Sequence, residues 1–193
     1  MKRRTFDGIV TLVGFGLSIF LFIAAGLLNW GFSFANSAVA NQLSSQSIML
    51  PADTGNKTAD VTTVTFFKEN GNKLMSTGKQ AQMYADHYIG FHLSAMPTYA
   101  KASAASRAAS GALAAAPNDP ALQAAAKGAS AVLDTVFKGT TLRGTLLTAY
   151  AFWQLGQIAA ISAGVALVGG LLMLILSIAG WMHLRRTPEE ATI

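Results

Sequence analysis

The residues able to do acid–base or metal chemistry in this sequence are few and spread out. Its three histidines are His87, His92 and His183, and only the first two lie in the polar middle of the chain. Five residues on a helix turn through about 140° around the axis, so His87 and His92 do not share the face that an i, i+4 zinc pair uses. The carboxylates of the middle segment are Asp53, Asp60, Glu69, Asp86, Asp119 and Asp134, and no two form a close pair that would split general-acid and general-base roles. Cysteine is absent, which removes disulfides, thiolate nucleophiles and Cys-ligated zinc together. There is no phosphate-binding glycine loop, dinucleotide fingerprint or Ser-His-Asp pattern. The residues therefore point to no catalytic group, no metal and no cofactor. The densest polar and aromatic group is Tyr84, Asp86, His87 and Tyr88. It is where a small ligand would bind, or else a helix that packs its tyrosines inward and turns Asp and His to solvent.

These residues must be positioned by helices. Ser76-Thr77-Gly78 precedes a run from Lys79 to Met96 with Ala81, Tyr84, Ala85, Tyr88, Phe91 and Leu93 at mostly helical spacing, and Ser76 or Thr77 can cap it before Pro97 stops it. Residues 98–116 are almost all Ala and Ser, a composition that favours helix but has little bulk to bury and suits partial disorder equally. Pro117-Asn118-Asp119-Pro120 opens the next helix, with Asp119 as its cap, and Lys138-Gly139 is expected to end it. Thr140 or Thr141 then caps a last helix that runs from Leu142 into the second apolar stretch without an intervening proline. Val61 to Phe67, VTTVTFF, is β-branched, aromatic and bounded by Asn, Gly and Asp, which predicts a short β element near 61–67.

Two uncharged runs, 9–30 and 158–181, are each long enough to cross the roughly 30 Å hydrocarbon core of a bilayer. Trp30 and Trp181 sit at their ends, as interfacial anchors do. Lys2, Arg3 and Arg4 precede the first run and Arg185 and Arg186 follow the second, while no Lys or Arg lies between Trp30 and Lys57. By the positive-inside rule both termini are cytoplasmic. The competing reading is a cleavable signal peptide ending at Ala38-Val39-Ala40, against which the apolar stretch is longer than the about 7–15 residues of a signal core. The fold class expected is mainly α: a cytoplasmic start (1–8), transmembrane helix (9–30), mostly helical extracytoplasmic domain (31–157), transmembrane helix (158–181) and cytoplasmic end (182–193). Hydrophobic residues make up 52% and charged residues 12%, about half the charged share of a soluble domain. Five of the fourteen basic residues stand at the chain ends beside the apolar runs and the other nine are scattered singly, so the high pI signals mostly topology and not nucleic-acid binding.

Small residues recur in the second run at Ser162, Ala166 and Gly170, and again at Ala160 and Gly164, a spacing that lets two backbones approach. Gly14 and Ser18 of the first run are the natural intramolecular partners, and the same spacing is common background in alanine-rich membrane helices. Transport has no support, because neither run carries an ionisable residue.

Several blocks together resemble an uncharacterised family of two-span membrane proteins from actinobacteria. They are the basic start, Gly26-Leu27-Leu28 with Trp30, Gln42 to Pro51, Thr77-Gly78 with Gln80-Ala81, Tyr84-Ala85 and His87, Asn118-Asp119, the stretch Gly139 to Ala159, and Leu184 to Pro188. Some members of that family carry the label of an aromatic-ring-opening dioxygenase. A non-haem iron site wants two His and a carboxylate converging on one point, which the spacing here does not supply. The resemblance thus implies topology and a bacterial plasma membrane, and no activity. Two functions are expected from these readings. The first is a non-enzymatic interaction or structural component of an envelope assembly, whose partners are the lipid bilayer and another protein or a second copy, met through the membrane helices or the outer domain. The second is an extracytoplasmic sensor or binding module for a small molecule that acts through a partner.

Overall fold

The computed structural model describes residues 3–188; Met1, Lys2 and residues 189–193 of the expected cytoplasmic ends lie outside them. The described residues are mostly helical, in the order α1 (Arg3–Ser45), α2 (Val61–Asn70), α3 (Gly78–Met83), a π-helix (Tyr84–Ile89), α4 (Gly90–Ser94), α5 (Tyr99–Ala115) and α6 (Pro120–Arg186). Two of these helices, α1 and α6, are long and apolar enough to cross a membrane, by length and composition. The chain forms two compact units, one of residues 1–37 with 154–193 and one of residues 38–153.

In the first unit, α1 and α6 run antiparallel with small residues at their seam. Thr11, Ser18 and Ala25 are buried on α1, and Gly156, Ala163, Gly170 and Ser177 on α6. Both sets recur at seven residues, the spacing that keeps one face of a helix toward a partner in a left-handed pair. The approach is close enough to need the missing side chains. A Cβ at Gly14 would collide with Ser177, one at Gly156 would lie 2.9 Å from Ala35 Cβ, and one at Gly180 would lie 2.9 Å from Thr11 Oγ1. The buried Ser18 hydroxyl donates to the Gly170 carbonyl at 2.9 Å. Of the small residues singled out by spacing, Gly14, Ser18 and Gly170 lie at this seam and Ala160, Ser162 and Ala166 are half-buried, whereas Gly164 is exposed with open space where a side chain would stand.

The second unit is organised around Val39, Leu43, Leu50, Phe67, Met75, Ala81, Met83, Ala85, Ile89 and Leu146, with Trp153 packed on this core. Gly78 sits directly under Trp153, and any Cβ there would overlap the indole. An isolated antiparallel bridge joins Met49 to Leu74, flanked by hydrogen bonds from Met75 N to Ile48 O (2.9 Å) and Asn72 N to Leu50 O (2.8 Å).

Two sequence expectations need correction. Val61 to Phe67 is not a β element but the body of α2. The Asp60 carboxylate caps it, accepting from Thr63 N at 3.0 Å and from the Thr63 hydroxyl at 2.7 Å, and Thr63 and Phe67, one turn apart, bury the same face. Capping and burial outweigh the weak helix propensity of the β-branched run. Nor does a helix end at Lys138-Gly139: α6 passes through without interruption. Gly139 is there for space and not as a terminator, since a Cβ on it would lie 2.8 Å from Leu93 Cδ2. Within residues 98–116, left open between helix and disorder, Tyr99–Ala115 form α5, capped by the Thr98 hydroxyl, and Asp119 caps α6 by accepting from Ala121 N (2.8 Å) and Leu122 N (3.3 Å).

Candidate functional site

The polar and aromatic cluster lies on the π-helix of the second unit, and the residues before it fix where it starts. Thr77 and Gln80 make a reciprocal capping box at the head of α3: the Thr77 hydroxyl accepts from Gln80 N, and Gln80 Oε1 accepts from Thr77 N (3.1 Å) and Ser76 N (2.8 Å). The other side of the same amide, Gln80 Nε2, donates to Asn70 Oδ1 at 3.2 Å and ties the end of α2 to the start of α3. The helix then widens to a π turn at Tyr84–Ile89 before closing again as α4. Such insertions are rare and are concentrated at functional positions, because they re-aim side chains and loosen the carbonyl ladder.

Here the loosened carbonyl is that of Ala85. It accepts from Gly90 N, five residues on, and also from Arg143 Nε of α6 at 3.2 Å. Arg143 Nη2 then donates to Asp86 Oδ1 at 2.9 Å. Gly90 makes this possible, since a Cβ there would stand 3.3 Å from the Ala85 carbonyl oxygen and 3.4 Å from Arg143 Nε. The side chains of Arg143 and Asp86 remain 43% and 31% exposed, so their ion pair is screened and contributes at most about 1 kcal/mol to stability. Its consequence is positional: one guanidinium holds both the π-helix backbone and an acidic side chain in place. The pair sits at the edge of an open groove of about 500 Å³ lined by Asp86, Gly90, Leu93, Met96, Pro97, Tyr99, Val136, Thr140 and Arg143, among others. That volume lies within the usual range for small-molecule sites.

The four residues singled out by sequence do not converge. Asp86 faces the groove. Tyr84 and Tyr88 stack on one another with centroids 4.9 Å apart and pack against the core. Burial, and then the neighbouring Tyr88, push the Tyr84 phenol above its ordinary pKa. His87 turns to α2, where its Nδ1 lies 3.3 Å from Thr63 Oγ1. The Thr63 proton is already donated to Asp60, so His87 is the donor and carries its proton on Nδ1. The same two Thr63 donors, the backbone amide first and the hydroxyl second, hold the Asp60 carboxyl below its ordinary pKa. The His92 ring lies tilted against Tyr88, centroids 4.5 Å apart, and donates from Nδ1 to the Tyr88 carbonyl at 2.7 Å. Among the described residues no three His, Asp or Glu side chains are grouped as metal ligands.

Arg143 is the residue of this cluster that the sequence pattern does not single out. Its signal was available: it is the one Lys, Arg, Asp or Glu between Lys138 and Arg185. A lone charge in so long an apolar stretch needs a partner, and the partner is Asp86, 57 residues earlier. No family model matches the chain, and searches of curated proteins and of solved structures give no match either.

Proposed function

We propose that this chain is a two-pass plasma-membrane protein with both termini cytoplasmic, and that residues 31–157 form an extracytoplasmic domain acting as a non-enzymatic binding module for a small molecule. The observation that carries the binding role is the groove beside the π-helix, lined by the fixed Arg143–Asp86 pair together with apolar side chains. The membrane setting is supported by the length and apolarity of α1 and α6, and the orientation by Arg3, Arg4, Arg185 and Arg186 at their ends. The bacterial envelope is what the family resemblance implies.

The test is thermal denaturation of the full chain in mild detergent against a panel of small amphipathic metabolites, run beside a Thr140→Trp variant whose indole fills the groove from its rim. Compounds that raise the melting temperature of the parent and not of the variant are expected. A panel that moves neither protein, or moves both alike, contradicts the binding role. The second reading, a structural component of a membrane assembly, is favoured by the exposed Met49 and Leu74, which the antiparallel bridge sets side by side on the second unit. Under that reading a stoichiometric protein partner accompanies the chain through purification and is lost in Met49→Ser with Leu74→Ser.

A further inference from the structure

Resting on the proposed binding role, we infer that the groove takes a small zwitterion with an apolar side chain, of the chemical class of a free apolar α-amino acid. The Arg143–Asp86 pair leaves two charged atoms over. Arg143 spends Nε on the Ala85 carbonyl and Nη2 on Asp86 Oδ1. Among the described residues Arg143 Nη1 and Asp86 Oδ2 have no hydrogen-bond partner, and both side chains line the groove with part of their surface open. One charged donor and one charged acceptor, belonging to adjacent groups already fixed by their ion pair, are thus left over at the groove.

A ligand carrying only a carboxylate would gain Arg143 and meet the like charge of Asp86, and a ligand carrying only an ammonium would gain Asp86 and meet Arg143. A zwitterion satisfies both without breaking the ion pair, its carboxylate on Nη1 and its ammonium on Oδ2. The remaining lining supplies the place for an apolar side chain: Leu93, Met96, Pro97, Tyr99 and Val136 form a wall. A groove of about 500 Å³ accommodates a molecule of this size with room for water at its mouth. Fixing the guanidinium on the π-helix carbonyl before the ligand arrives lowers the ordering cost of binding.

The experiment uses the full chain in detergent, with binding measured by calorimetry and thermal shift. The probes are phenylalanine, 3-phenylpropanoate, which lacks the ammonium, and phenethylamine, which lacks the carboxylate. Phenylalanine binds, and each truncated probe binds about tenfold more weakly or worse, the loss expected for one charged hydrogen bond. Asp86→Asn removes the discrimination against 3-phenylpropanoate, and a ligand-free melting transition retained by that variant guards against one that merely fails to fold. Equal binding of phenylalanine and 3-phenylpropanoate overturns the inference. So does a groove that takes other compounds of the panel while phenylalanine is inert, and in that case the binding role itself stands. Silence of every compound removes both.

Discussion

The exposure of Arg143 and Asp86 makes their ion pair weak as a source of stability. What it supplies is orientation, because the guanidinium also holds the carbonyl that the π-helix leaves available. Tyr84, on the same π-helix, offers a direct test of how that segment is packed. Burial and the neighbouring Tyr88 raise its phenol pKa in the folded chain, so the folded state holds this proton more tightly than the unfolded one. The resulting stabilisation is complete below the unfolded phenol pKa of about 10 and is lost as pH rises through the higher folded value. Ultraviolet titration of the four tyrosines should therefore show one late step that is missing in Tyr84→Phe. Curves that differ only by a uniform loss of amplitude would mean that Tyr84 is as open as the others. Of the site, sequence reading found the π-helix residues by their density of polar and aromatic types. It could not find that His87 leaves for Thr63 while Asp86 goes to Arg143, because one inserted residue rotates the face on which each emerges.

Among the elements, glycine separates close approach from mere composition. Gly71 follows α2, and a Cβ there would lie 2.7 Å from Ala52 Cα and 3.0 Å from the Phe67 carbonyl, both backbone atoms that cannot step aside. Gly111 lies within α5 and has nothing within 4 Å. Gly71→Ala is expected to destabilise by about 1–3 kcal/mol, as overpacking does. Gly111→Ala is expected to stabilise by up to about 1 kcal/mol through helix propensity alone. Paired denaturation curves of the full chain check both signs, and a neutral Gly71→Ala would show that residues 52 and 71 do not approach as described. The helices were legible where their signals are local: the caps at Thr77 and Asp119, and the stop at Pro97. They were misread where a tertiary contact decides. VTTVTFF is β-rich in type but is held as a helix by Asp60 and by the burial of Thr63 and Phe67, and Lys138-Gly139 has the composition of a helix end but makes room for Leu93. The seam of the first unit was half legible for a similar reason. Spacing by four pointed to Gly164, whereas the packed residues, Gly156, Ala163, Gly170 and Ser177, recur by seven.

At the scale of the whole molecule the account rests on α1 and α6 crossing a bilayer with residues 31–157 on the far side from the termini. The absence of cysteine makes this directly measurable, since a single engineered thiol has no background. The decisive measurement is labelling of intact cells with a membrane-impermeant maleimide in two variants, Lys57→Cys in the proposed outer domain and Thr187→Cys just beyond α6. The account predicts that the Lys57→Cys protein is labelled in intact cells and the Thr187→Cys protein only after the cells are opened. Labelling of both only after opening, or of the Thr187→Cys protein in intact cells, would contradict it.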